Sequence, residues 1–162
     1  MDEPTAHELL SRLLSALSDA LPADHPLVPP DDNAPFLHEF RWESYPVQLL
    51  CHLAIAPAHI TVACPLGPLP ERDAETALRQ LLRVNHLIAT SGSVTAYEPA
   101  DGTLYVLHTR LLAGVDAPTV LQTMESLVTV VRGWRDSGLL DGAGKSLLQS
   151  KPMGMAFAGL RA

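Results

Sequence analysis

Three stretches of the chain repeat apolar residues at the spacing of an amphipathic helix. The first begins at a capping box formed by Thr5 and Glu8 and stops at Pro22. The second is predicted at about 71–89 and the third at about 117–137, where an aspartate precedes the first turn as an N-cap. The apolar stripe of the first helix consists of Leu9, Leu10, Leu13, Leu14, Leu17 and Leu21.

Five shorter stretches alternate apolar and polar residues, which is typical of strands with one buried face. They lie at about 35–42, 46–56, 59–66, 93–98 and 103–112. The short connections between the first three predict an antiparallel meander. The whole pattern predicts an α+β fold in the order α-β-β-β-α-β-β-α, with a twisted antiparallel sheet packed with three helices.

The leucine stripe of the first helix has two interpretations. All of these leucines can pack into the core, which is the common fate of such a stripe. Alternatively, one flank of the stripe stays accessible and receives a partner, because a terminal helix that lies across a sheet edge can use its two flanks differently. The pattern alone leaves both interpretations open.

The second helix carries a polar residue, Asn85, on its apolar stripe. A buried amide costs free energy unless its donor and acceptor atoms are hydrogen-bonded. We therefore expect Asn85 to have a fixed partner and a structural role.

Composition indicates one packed domain, since 47% of the 162 residues are hydrophobic. Residues 1–137 carry 8 basic and 17 acidic groups, and the net charge of the whole chain is −7. This excess of acid argues against a nucleic-acid or anionic-membrane surface, because phosphate binding requires clustered Lys and Arg. We predict a domain at 1–137 that includes a proline-rich surface loop at 23–35, followed by a C-terminal tail at 138–162.

The cysteines and the start of the chain bear on its compartment. Cys51 and Cys64 lie on neighbouring predicted strands, and we expect buried free thiols, with a single disulfide as the alternative. No basic-then-apolar leader opens the chain, and no apolar run reaches the length of a membrane span. These features favour a cytoplasmic location.

The spacing of the candidate residues does not match the known motifs of catalysis or cofactor binding. His25 and His38 flank acidic residues, but their spacing is irregular and no HExxH motif is present. Gly142–Ser146 looks like the end of a phosphate-binding loop, but Leu139 stands where the first glycine belongs and the segment follows a helix. We therefore predict no catalytic, cofactor-binding or metal-binding residue and no enzyme activity.

One part of the chain is similar to a known family. Leu81–Asn85 is followed by a glycine-containing turn and a short strand, and then by a strand ending in Thr109–Asp116 that leads into the helix with Trp134. In order and spacing these features resemble the class I type III secretion chaperones, the Tir-chaperone (CesT-like) family. The resemblance covers about 5–137 and is tightest at 78–134.

The resemblance implies a secretion-chaperone-like homodimer in the bacterial cytoplasm, with no nucleic acid or membrane as partner. Such a chaperone binds the N-terminal chaperone-binding segment of a secreted effector protein, keeps it non-globular and delivers it for export without ATP. The alternative is a regulatory or scaffold protein-binding domain that reuses the same fold. The partner-binding residues implied by the resemblance are Leu10, Leu13, Leu14, Leu17, Phe36 and Phe40, and the implied dimer interface comprises Leu81, Leu82, Asn85, Ile88, Val94 and Ala96.

Overall fold

The computed structural model describes residues 4–21, 27–31, 34–88 and 92–137. Within these ranges, helices and strands follow one another in the predicted order. The elements are α1 (Ala6–Ala20), β1 (Phe36–Trp42), β2 (Tyr45–Cys51), β3 (His59–Pro68), α2 (Ala74–Ile88), β4 (Ser93–Glu98), β5 (Thr103–Leu111) and α3 (Ala117–Asp136), with a 3-10 turn at Leu112–Gly114 before α3.

The strands form one antiparallel sheet in the order β1-β2-β3-β5-β4. Its central pair, β3 and β5, runs from His59 opposite Leu111 to Pro68 opposite Thr103. The predicted meander of the first three strands is confirmed by this order. The sheet has two edge strands, β1 and β4, which come from the two halves of the chain.

One face of the sheet, called the inner face below, carries the hydrophobic core. Alternate residues of the strands point to this face and are buried against the helices, with α3 lying along β3 and β5. The sheet contributes to this core Val47, Leu49, Cys51, Ile60, Val62, Cys64, Leu66, Leu104 and Val106, and the helices contribute Leu10, Leu13, Leu14, Leu17, Leu81, Val84, Val120, Met124, Leu127, Val128, Val131 and Trp134.

Two helices begin at the predicted caps. The Thr5 N–H donates to Glu8 Oε2 at 2.8 Å, and the Glu8 N–H donates to Thr5 Oγ1 at 3.2 Å, which completes the capping box. These bonds with Thr5 hold the pKa of Glu8 below its ordinary value. At α3, Asp116 Oδ1 accepts from the Thr119 N–H at 2.9 Å. Each cap contributes about 1 kcal/mol to helix stability.

The predicted boundaries differ from the observed ones at two elements. The second helix begins at Ala74, three residues later than the pattern predicts. The alternation predicts a strand as far as residue 56, but β2 ends at Cys51 because the chain turns there and the Ile55 N–H bonds back to the His52 carbonyl at 3.4 Å. Ile55 is consequently 58% exposed.

Some predicted features fall outside the described residues. The tail at 138–162 and parts of the proline-rich stretch at 23–35 are among them. Within the described ranges, each helix is too short or too polar to cross a bilayer.

Candidate protein-binding surface

The leucines of α1 that are predicted to bind a partner lie in the chain's own core. Leu10, Leu14 and Leu17 are 0% exposed and Leu13 is 5% exposed. α1 packs against α3 and the 3-10 turn, so the stripe faces inward. Of the two interpretations of the stripe, the structure shows core packing. A contact between these side chains and a partner stays a prediction, and it requires α1 to move away from α3.

The predicted aromatic residues lie on β1. The rings of Phe36, His38 and Phe40 stack along the inner face, with centroids 6.3 Å and 6.1 Å apart. Phe36 is buried at 6% exposure, whereas Phe40 is half-buried. Phe40 is therefore the most accessible of the predicted partner-binding residues.

The residues of the predicted dimer interface divide by exposure. Leu81 is buried within the chain, whereas Leu82, the next residue of α2, is 68% exposed. On β4, Val94 is 44% exposed and Ala96 is half-buried. The side chain of Ile88 lies outside the described residues. Leu82 and Val94 are thus the large apolar side chains of this set that a second subunit could reach.

The outer face of the sheet, opposite the helices, is apolar over much of its width. Its residues follow the strand register, with Leu37 opposite Leu50 on the first hairpin and Val94 opposite Leu107 on the last. Leu37 is 62% exposed, because the described helices pack on the inner face. The apolar residues of this outer face are Leu37, Pro46, Leu50, Ala63, Pro65, Val94, Ala96, Tyr105, Leu107 and Leu111.

Polar groups cross the outer face in pairs that satisfy one another. Gln48 Nε2 donates to Glu39 Oε2 at 3.0 Å, and the hydroxyls of Thr61 and Thr109 lie 2.9 Å apart. A contiguous exposed apolar face of this kind usually marks a site where another protein binds. The outer face is therefore the candidate protein-binding surface.

Of this surface, sequence reasoning predicted only Val94 and Ala96, as part of the dimer interface, because alternation assigns one face of each strand to solvent. The pattern nevertheless held a signal: Leu50 and Leu107 stand at positions where a solvated strand would carry polar side chains. Strands that are apolar on both faces predict that something covers both.

One edge of the sheet, next to the outer face, has main-chain groups that no described strand pairs. β1 and β2 are joined by the two-residue turn Glu43-Ser44, whose φ values of 47° and 72° are those of a type I′ hairpin. The residues that close such a hairpin form a hydrogen-bonded pair, and bonded and non-bonded pairs alternate from there. The N–H and C=O groups of Leu37, Glu39 and Arg41 consequently point away from β2, where the described part of the chain places no further strand.

The opposite edge is occupied by a side chain of α2. Asn85 Nδ2 donates to the Thr95 carbonyl at 2.9 Å, and the Thr95 N–H donates to Asn85 Oδ1 at 2.6 Å. The Thr95 hydroxyl donates to the same oxygen at 2.7 Å. The predicted fixed partner of Asn85 is thus Thr95, on the edge strand β4.

A serine and a histidine meet inside the core without forming a catalytic site. Ser93 Oγ lies 2.8 Å from His108 Nδ1, and Arg110 Nε donates to His108 Nε2 at 2.8 Å. Ser93 is 0% exposed and His108 is 3% exposed, so a substrate has no access to either group. Burial and the nearby Arg110 lower the pKa of His108.

Cysteine and metal chemistry add no site in the described residues. Cys51 and Cys64 are free and buried, as the sequence predicts, and burial raises the pKa of Cys64 to about 11. Such thiols are poor nucleophiles and poor metal ligands, because both roles use the thiolate. Across 4–21, 27–31, 34–88 and 92–137, His, Cys, Asp and Glu side chains form no group of three that could hold a metal ion.

Solved structures share this fold at low sequence identity. A chain of the ExsC–ExsE complex matches with a TM-score of 0.65 and 14% identity, covering 82% of this chain and 96% of its own length. A chain of the HopA1–SchA chaperone–effector complex matches with a TM-score of 0.59 and 20% identity, covering 83% and 99%. A chain of the heterodimeric ExoU–SpcU complex from the type III secretion system of Pseudomonas aeruginosa matches with a TM-score of 0.55 and 17% identity, covering 81% and 99%.

Sequence comparison adds the family. No curated protein matches the chain significantly. The model of the Tir chaperone protein (CesT) family matches residues 48–135, which run from inside β2 to the end of α3. Since this match spans more than half of the chain and the sheet, helices and order of elements agree with the predicted fold, the chain belongs to the Tir chaperone protein (CesT) family.

Proposed function

We propose that this chain is a type III secretion chaperone that binds the N-terminal chaperone-binding segment of a secreted effector in the bacterial cytoplasm. It keeps that segment non-globular and ready for export, and it acts by binding alone, without catalysis, metal or nucleotide. Membership of the Tir chaperone family supports this role. The observation that carries it is the apolar outer face of the sheet beside the edge of β1, which no described strand covers.

An extended segment fits this surface through its main chain and its side chains together. Strand addition to β1 would pair its N–H and C=O groups with those of Leu37, Glu39 and Arg41. Alternate side chains of the added strand would then point to the two faces of the sheet. Those on one side would contact the outer face, and those on the other would meet the half-buried Phe40.

The energetics require apolar contacts as well as main-chain pairing. Ordering one residue of an unfolded segment costs about 1–2 kcal/mol, whereas a main-chain hydrogen bond contributes a net of about 1 kcal/mol. Pairing along β1 therefore at most offsets the ordering of the segment. Net affinity has to come from side chains, because each buried leucine-sized group contributes about 1.5–3 kcal/mol.

The similar structures support a protein as the partner. HopA1–SchA is described as a chaperone–effector complex, and ExoU–SpcU as a heterodimeric complex from a type III secretion system. We propose a partner of the same class for this chain. We also propose a homodimer, supported by the exposed Leu82 on α2 and Val94 on β4.

A regulatory or scaffold domain with the same fold is the second candidate. Such a domain would hold a folded partner that stays inside the cell. A chaperone instead holds a segment whose unfolded state is needed for export. The two functions therefore differ in the fate and in the conformation of the bound protein.

The test begins with capture of the partner from the native cell and its identification by mass spectrometry. We expect one stoichiometric protein that is exported under secretion conditions, and whose isolated N-terminal segment binds the chaperone. A partner that is never exported, or that binds only through a folded domain, would exclude the chaperone role.

A pair of variants ties that binding to the outer face. Leu37→Asp places a charge on the outer face, and we expect at least a tenfold weaker affinity, since losing about 1.5–3 kcal/mol of burial changes Kd by roughly tenfold to a hundredfold. Val28→Asp is the matched control, because Val28 is similarly exposed at 64% but lies in the loop after α1 and in none of the strands. Equal binding by both variants and the native chain would exclude the outer face.

A further inference from the structure

The two edges of the sheet differ in what meets their main-chain groups. In the β4–β5 pair the Thr109 N–H donates to the Gly92 carbonyl, so Gly92, Val94 and Ala96 face β5. The main-chain groups of Thr95, between them, point away from the sheet. They would be open to another strand if Asn85 did not bind both of them.

The Asn85 side chain reproduces the contact that a neighbouring strand would make. A carboxamide offers an N–H donor and a C=O acceptor in one plane, as a peptide group does. Here the two atoms engage the carbonyl and the N–H of the same residue, at 2.9 Å and 2.6 Å. This is the pattern of a hydrogen-bonded antiparallel pair, made by one side chain.

We propose that Asn85 closes the β4 edge as a stand-in for a sixth strand, so that an extended partner adds main-chain pairs only at β1. The closing of β4 stands on the Asn85–Thr95 contacts themselves. The choice of β1 rests on the proposed function, because it assumes that the client binds as an extended segment.

The position of Asn85 favours this role over simple packing. It belongs to a helix stripe whose neighbours Leu81 and Val84 are buried and apolar. A leucine would fill such a position and would favour the helix more than asparagine does. Open edges invite unwanted pairing with other chains, and proteins cover them by specific devices. A protein that binds unfolded segments meets extended chains often, so an open edge at β4 would pair with them as readily as β1 does.

The first experiment follows amide hydrogen exchange in the native full-length chain and, in parallel, in its Leu82→Glu variant, which removes the proposed dimer contact at α2 and β4. The probe is a synthetic peptide of alternating leucine and serine with lysines at both ends. We expect the probe to slow the exchange of the Leu37, Glu39 and Arg41 amides by about tenfold or more, and to leave the Tyr97 amide on β4 unchanged. Protection of Tyr97 in the native chain would overturn the proposal.

The second experiment opens the closed edge. Asn85→Leu removes both contacts with the Thr95 main chain, so the Thr95 amide should exchange about tenfold faster and β4 should accept the probe, with Tyr97 now protected. Thr95→Val is the matched control, because it removes only the hydroxyl contact and keeps both main-chain bonds to Asn85. It should behave like the native chain.

Three outcomes decide between the two parts of the inference. If Thr95 remains protected in Asn85→Leu, or if β4 still refuses the probe, Asn85 does not close the edge. If the native chain shows no protection at β1, strand addition there is wrong, while the Asn85 variants still decide the closing of β4.

Should Asn85→Leu fail to fold, Asn85→Asp keeps the acceptor for the Thr95 N–H but loses the donor to its carbonyl. We then expect partial opening, and native-like exclusion of the probe would overturn the closing role.

Discussion

At the scale of single residues, His108 shows how a buried polar group restricts its own chemistry. Arg110 can only donate, so His108 Nε2 accepts from it and the ring proton sits on Nδ1, facing Ser93 Oγ. The ring is therefore neutral in the folded chain. A proton added to Nε2 would have to displace the bond from Arg110, and burial further disfavours the charge.

This arrangement predicts a loss of stability in mild acid. The folded pKa of His108 lies below its unfolded value of about 6.5, so the unfolded chain binds the proton more readily. His108 thus lowers the stability as the pH falls through the unfolded pKa, and its contribution levels off below the folded pKa. Urea unfolding from pH 8 to pH 5 should show this, and His108→Gln should reduce the slope. An unchanged slope would contradict a neutral, buried ring.

The two thiols give a second prediction at this scale. Cys51 and Cys64 are buried, and burial raises the pKa of both. Since the thiolate is the reactive form, a thiol reagent at neutral pH should modify both far more slowly than in urea. Rapid modification of the folded protein, followed spectroscopically, would show that one of them is reachable.

At the scale of elements, α1 is a structural helix. Leu14 is 0% exposed, so Leu14→Ala should lower the free energy of unfolding by about 2–5 kcal/mol. Leu9 stands on the same helix but is only partly buried, and Leu9→Ala should cost much less. Chemical denaturation measures both. Equal and small effects would mean that the stripe is accessible and available to a partner after all.

Periodicity predicted the elements well because local residues decide them. The cap at Thr5 and the alternation of β5 each depend on neighbours in sequence, and both are confirmed. What covers each face is decided by the rest of the chain. The pattern could therefore identify the α1 leucines as a set, but it could not place them under α3. It also could not reveal that Leu37 and Leu107 lie on a face that these helices leave uncovered.

Asn85 combines a feature that the local sequence predicts with one that only the packing of the chain decides. A polar residue on an apolar stripe predicts a hydrogen-bonded partner from free-energy cost alone. Which partner it finds depends on how β4 packs along α2. The sequence could predict that Asn85 is fixed, whereas the contact with the main chain of Thr95 had to be seen in three dimensions.

At the scale of the whole molecule, we expect a homodimer of twice 17.4 kDa in light scattering. Leu82→Glu should give a folded monomer, because Leu82 is 68% exposed and a charge there disturbs only a contact between subunits. Leu81→Glu is the matched control, since Leu81 is buried and the same charge there should unfold the chain. A native chain that is monomeric at tens of micromolar, or a Leu82→Glu variant that remains dimeric, would remove this interface.

The strand order also has a consequence for how the protein is made. β3 pairs with β5, which is synthesised only after α2 and β4. The core is complete only when the nine buried residues of α3 have also been synthesised. A ribosome therefore releases almost the whole domain before the core can close, and only local units such as the first hairpin can form earlier. We expect nascent chains that stop before α3 to be digested readily by protease. The chaperone would thus acquire its own fold, and with it any ability to hold a client, only after its last helix has left the ribosome.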